Sequence, residues 1–153
     1  MREVVRTRFR VPMSDHRSAA ALISLLVALA LSACGSAPSD ANRVTMDGGS
    51  YLDVSPADLA VMLKAKDFTL VNVHVPYDGE IVDTDLFIPF DQIAGHISDL
   101  PPAEAKIVLY CRSGSMSASA AEALVTAGYT QVLNLAGGMN AWRAAGFPLA
   151  GGD

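Results

Sequence analysis

Lys106-Ile-Val-Leu-Tyr-Cys-Arg-Ser-Gly-Ser-Met-Ser117 decides how this chain is read. An apolar run ends at Cys111, a polar loop holding Gly114 follows, and Ala118-Ser-Ala-Ala-Glu-Ala-Leu-Val-Thr-Ala-Gly128 then takes up helical spacing. The order is strand, loop, helix, with a thiol at the turn. Backbone N–H groups of a tight loop, together with those opening a helix, make a concave donor site for an anion. Such donors favour the thiolate, the nucleophilic form of cysteine. A cysteine at a strand end is by default a small buried hydrophobe. Here the polar, glycine-bearing loop from Arg112 to Met116 favours the functional reading, and Cys111 is the candidate nucleophile.

Outward from this stretch, the elements alternate. Upstream, Tyr51-Leu-Asp-Val54 is a short extended piece, and Ser55-Pro56-Ala57-Asp58 opens a helix with Ser55 as N-cap and Pro56 in the first turn. Phe68 to His74 reads as a buried strand, broken by Val75-Pro76, and Leu86 to Phe90 as a short edge-like strand ended by Pro89. Asp91 to Ser98 is a weak helix capped by Asp91. Downstream, Gln131 to Leu135 is a strand, Gly137-Gly138 a turn, and Met139 to Ala145 a last helix closed by Gly146, with Trp142 packing it on the core. Strands alternating with helices predict an α/β fold with a parallel central sheet and helices on both faces. In such sheets ligands sit beyond the carboxyl ends of the strands, where Cys111 falls.

Two other candidates have blander readings. His74 ends a strand without a second His, Cys or carboxylate at ligand spacing, so it is expected to be a hydrogen-bonded structural residue and not a metal ligand. The carboxylates Asp78, Glu80, Asp83 and Asp85 do not match the spacing of a calcium loop and read as a solvated surface. No metal and no cofactor is called for.

The N-terminus has its own logic. Five arginines, Arg2 to Arg17, precede the apolar run Ala19 to Leu31, and small residues close it, which describes an export signal. Leu31-Ser32-Ala33-Cys34 resembles the lipobox of bacterial lipoproteins, which implies cleavage before Cys34 and a lipid on that cysteine. The expected organisation is a signal peptide over 1–33, a flexible tether over 34–50 and a domain over 51–153, exported and bound through the lipid to the cell-envelope membrane. Of 153 residues, 51% are apolar, enough for one domain with a core. Without the leader, six basic residues face fourteen acidic ones, a net of −8, which argues against nucleic acid as a partner. Cys111 becomes the single thiol of the mature chain, so an internal disulfide is excluded.

Three segments together resemble the rhodanese-like family over roughly residues 51 to 149: Leu70-Val-Asn-Val-His74, Cys111-Arg-Ser-Gly-Ser-Met116, and Asn134-Leu-Ala-Gly-Gly-Met-Asn-Ala-Trp142 with Ala145-Gly-Phe-Pro-Leu149. The resemblance implies a sulfurtransferase in which Cys111 accepts a sulfane sulfur as a persulfide and passes it on. Arg112, Ser113, Gly114, Ser115, Met116 and Ser117 would bind the substrate. The donor would be thiosulfate or another small sulfur-containing anion, or a persulfide; the acceptor would be a thiol, cyanide or a protein. The chain departs from the family pattern at Asn72, usually Asp, at His74, usually Arg, and at Met116, where many members carry a polar or cationic residue. Gly95-His96-Ile97 falls later than the usual Gly-His-Ile segment.

The rival readings differ in chemistry. A cysteine phosphatase needs an arginine closing the loop to neutralise a phosphate dianion, and the sixth residue after Cys111 is Ser117. A thiol redox protein needs a resolving cysteine. A non-enzymatic rhodanese-like module, binding a partner or delivering sulfur in an envelope assembly, is the alternative that keeps the fold without turnover.

Overall fold

The computed structural model describes residues 42–151. The export signal and Cys34 lie outside the described residues. Within them the chain runs β1 (Arg43–Met46), β2 (Gly49–Val54), α1 (Pro56–Leu63), β3 (Thr69–Asn72), β4 (Glu80–Ile81) and β5 (Leu86–Phe87). A 3₁₀ segment (Ile93–Asp99) follows, then β6 (Ile107–Tyr110), α2 (Ser115–Thr126), β7 (Val132–Leu135), α3 (Gly138–Ala144) and β8 (Leu149–Ala150). The main sheet has the order β1-β2-β7-β6-β3-β5, and β4 pairs with β8 in a small second sheet. From β2 to β5 every pairing is parallel; β1 is antiparallel to β2.

β1 corrects the expected tether. Residues 43–50 belong to a hairpin in which Arg43 pairs with Leu52 and Met46 with Gly49 around Asp47-Gly48. The strand carries little apolar signal because its residues alternate between exposed and half-buried at the sheet edge. Asp91 is a second correction. The 3₁₀ segment starts at Ile93 and has no side-chain cap, and it kinks at His96. The start of α1 follows the sequence: the Asp58 N–H donates to Ser55 Oγ at 3.1 Å, and the Ser55 N–H donates to the Asp58 carboxylate at 3.4 Å, a capping box.

Strand periodicity divides the core. Along β6, Ile107 and Leu109 face one side with Cys111 beyond them, while Val108 and Tyr110 face the other. On the first side Val71, Val73, Ile107 and Leu109 pack against Ala120, Ala121, Leu124 and Val125 of α2 and against Ile93. On the second, Leu70, Val108, Leu133 and Leu135 meet Leu59 of α1 and Met139 and Trp142 of α3. The alanines of α2 let the helix approach the sheet closely, and burying these strands on both faces accounts for their unbroken apolar runs. Trp142 is anchored by its indole N–H, which donates to the Pro148 carbonyl at 2.9 Å, and by Phe147, whose ring centroid lies 4.5 Å away. No helix among the described residues is long and apolar enough to cross a membrane.

Candidate functional site

Cys111 follows directly on β6, beyond the carboxyl end of the central strands, with 1% of its surface exposed. The chain then turns back into α2 through Gly114, the residue preceding the helix, at φ +93°. That conformation lies in the left-handed region that L side chains rarely adopt. It aims the Gly114 N–H at Cys111 Sγ, 3.1 Å away. Ser117 Oγ stands 3.5 Å from the same sulfur and 3.1 Å from the Gly114 carbonyl, so its hydroxyl bridges the ends of the loop. The N–H groups of Ser115, Met116 and Ser117 open α2 and have no intrahelical acceptor. The loop thus turns one backbone donor onto the thiol, with three helix-opening N–H groups following it in the chain, an arrangement that favours negative charge on the sulfur.

The loop is held from behind by the start of α3. The Met139 N–H donates to the Cys111 carbonyl and the Asn140 N–H to the Arg112 carbonyl, both at 2.9 Å. This approach needs Gly138: a Cβ there would stand 2.2 Å from the Cys111 carbonyl oxygen. A Cβ on Gly114 would stand 3.0 Å from the Gly137 nitrogen. The sequence marked Gly137-Gly138 only as a turn, and its role against the Cys111 loop is legible only once β6 and β7 are seen as neighbours.

The other substrate-binding candidates are spread over this loop. Arg112, Ser113 and Ser115 are exposed, with the two serine hydroxyls 3.4 Å apart. Met116 is half-buried and packs against the α2 side of the core, and Ser117 is fully buried. Arg112 Nε lies 3.6 Å from a carboxylate oxygen of Asp78, a neighbour the sequence did not pair with it.

Asp78 belongs to the loop after β3. There Asn72 makes a neutral bracket, its amide donating to the Gly79 carbonyl at 3.0 Å and its oxygen accepting the His74 N–H at 3.0 Å. His74 is buried with its backbone bonded, yet its ring Nδ1 has no hydrogen-bond partner, unlike the satisfied imidazole expected from sequence. Burial pushes the imidazole below its ordinary pKa; the Asp78 carboxylate opposes that shift and the Arg112 charge adds to it. On the opposite face of the sheet the Tyr110 hydroxyl accepts the Ile81 N–H at 3.0 Å and bonds Thr84 Oγ1 at 2.6 Å, tying the same loop to β6. Gly95-His96-Ile97 lies on the 3₁₀ segment, where His96 pairs with Asp99 at 2.8 Å on the surface.

The chain is similar to known proteins in sequence and in fold. The chain is 38% identical over 87 residues to a sulfurtransferase of Allochromatium vinosum, covering 55% of this chain and 79% of that protein. It is 32% identical over 116 residues to thiosulfate sulfurtransferase 18 of Arabidopsis thaliana, covering 72% and 79% respectively. Among solved structures, the rhodanese-like domain of an Anabaena protein superposes with a TM-score of 0.59 at 25% identity, over 65% of this chain and 78% of that one. The profile of the Rhodanese-like domain matches residues 55–145, from the cap of α1 to the end of α3, and the chain therefore belongs to the rhodanese-like family.

Proposed function

We propose that this protein is a sulfurtransferase that carries sulfane sulfur on Cys111. The observation that carries the reading is the Gly114 N–H at 3.1 Å from Cys111 Sγ, in a loop whose helix-opening N–H groups are free to hold a second sulfur. Membership of the family and the two relatives named as sulfurtransferases support it. The Cys111 thiolate attacks the outer sulfur of a donor, thiosulfate or a persulfide. The donor's sulfur–sulfur bond breaks, sulfite or a thiolate leaves with the electron pair, and Cys111 holds the transferred atom as a persulfide. A thiolate, cyanide or a protein thiol then takes that atom and returns Cys111 to the thiolate. Arg112 orients an anionic donor, and Ser113, Gly114, Ser115, Met116 and Ser117 line the persulfide through their backbone.

The test is the mass of the protein after exposure to thiosulfate or a thiol persulfide. Wild type gains one sulfur atom, located on Cys111, and loses it to cyanide; Cys111→Ser gains none. A protein that takes up no sulfur from any donor yet binds a specific protein would instead be a binding module. The same reading places the domain at the envelope membrane through a lipid on Cys34. Metabolic labelling with a fatty acid checks this, since Cys34→Ala would abolish the label.

A further inference from the structure

The charges around the site point to the kind of donor. Arg112 is the only Lys or Arg between Lys106 and Arg143, and it shares its position with Asp78, 3.6 Å away. Both side chains are about half exposed, so the two charges offset each other in part, on the residue that follows Cys111 in the chain. His74, the next ionisable group at this edge, is held toward its neutral form by burial, and Met116 adds no polar side chain. Lys66 and Lys106 are committed at the opposite edge, ahead of β3 and β6, to Asp85 at 2.5 Å and Asp67 at 2.7 Å. Beyond Asp78 the loop adds Glu80 and Asp83 without a further cation. A thiol surrounded in this way has backbone donors for one anionic sulfur but no excess positive charge for a free dianion.

Resting on the reading of Cys111 as a sulfur carrier, we propose that Asp78 acts as a charge filter against small dianionic donors and that the sulfur enters from a thiol persulfide of low charge. In the loading step Cys111–S⁻ attacks the outer sulfur of R–S–SH. The new bond joins Cys111 Sγ to that sulfur, the R–S bond to it breaks, and R–S⁻ leaves with the electron pair. The proton stays on the transferred sulfur or moves to the departing thiolate. Reactants and products carry one negative charge each, so no second cation is needed. Thiosulfate brings two negative charges and releases a sulfite dianion, and it must approach Arg112 against the Asp78 carboxylate. Asp78 is a specificity-determining residue in this scheme and takes no part in bond making.

The experiment compares thiosulfate with cysteine persulfide as donors to the full chain, reading sulfur uptake on Cys111 by mass in single turnovers. For wild type, cysteine persulfide is the better donor. Asp78→Asn raises the ratio of the thiosulfate rate constant to the persulfide rate constant about fivefold, the effect of one partly exposed charge, and Asp78→Lys raises it further. Both gains shrink at molar salt, where the screening length falls to about 3 Å. A ratio unchanged in both variants, or changed equally at all salt concentrations, overturns the filter while uptake on Cys111 keeps the sulfurtransferase reading intact. Absence of uptake from both donors in wild type overturns both. Urea unfolding of Asp78→Asn separates a folding defect from altered selectivity, because a folding defect lowers both rate constants and leaves their ratio alone.

Discussion

The loop after β6 and the loop after β3 leave neighbouring strands at the same edge of the sheet and are built in opposite ways. The first is short and held through its backbone: Gly138 lies against the Cys111 carbonyl, and two α3 N–H groups bond the carbonyls of Cys111 and Arg112. The second runs from Val73 to Asp85 and is held at a few points, chiefly Asn72, the Tyr110 hydroxyl and the pairing of β4 with β8. Between those points Tyr77 is 48% exposed and Val82 52% exposed. A reacting atom needs the first construction, because small displacements of donors around it weaken every contact. Recognition tolerates the second, since side chains on a loop can change without moving a reacting atom held elsewhere.

That contrast can be broken most severely at the thiol. Cys111→Ser removes all sulfur uptake in the mass assay while leaving the midpoint of urea unfolding close to wild type. Retained uptake would move the chemistry away from the β6 loop altogether.

Gly138→Ala tests whether the first loop is held by close backbone approach. Its Cβ would fall 2.2 Å from a carbonyl oxygen, in a residue at φ +56°, and the expected destabilisation is about 2–4 kcal/mol by urea unfolding. An unfolding curve unchanged from wild type would show that α3 does not fix the loop.

Tyr110→Phe tests the hold on the second loop. It strips the buried Ile81 N–H of its acceptor and should destabilise by roughly 1–3 kcal/mol. There is also a pH signature. Burial raises the Tyr110 pKa from 10.0 to about 12, so the fold favours the neutral phenol. Its contribution is complete below pH 10, and about 2–3 kcal/mol is lost as pH rises through the folded value. Alkaline unfolding of Tyr110→Phe should therefore be less steep between pH 10 and 12. The other tyrosines with raised values, Tyr51, Tyr77 and Tyr129, leave some slope in both proteins.

The smallest effect belongs to His74. Its lowered pKa means the unfolded chain binds a proton more readily than the folded one. Stability from this source is therefore complete above the ordinary value of about 6.5 and falls as pH drops below it toward the folded value. His74→Gln should flatten that acid limb, measured by thermal unfolding from pH 7.5 to 5. An identical acid limb in both proteins would mean the imidazole is more solvated than its burial suggests.

How much of this was legible in the sequence follows the same division. The strand ending at Cys111, the helix after Gly114 and the alternation of elements come from apolar runs and glycine positions, which are local signals, and they place the site at its edge of the sheet. β1 reads as tether in the sequence because an edge strand with one partner needs no apolar alternation, and β4 and β8 are two residues each, too short for any period to show. Asp91 has the chemistry of a cap, but the turn it would start begins two residues later with no side-chain bond. The Asp78–Arg112 pair spans 34 positions and the Gly138–Cys111 contact 27, and neither has a local sequence signature. Both depend on strand order, which the chain reveals only when folded.

Because main-chain atoms supply the grip on the Cys111 turn, the exposed side chains at 112, 113 and 115 are not what holds the thiol in place. Altering them need not disturb the thiol's footing, provided Gly114, Gly137 and Gly138 stay as they are. A scaffold of this kind can be retuned one side chain at a time: under the proposed sulfur-transfer role, a new donor preference would be sought first at those three positions and at Asp78. Random changes across the turn would instead collect their failures at the glycines.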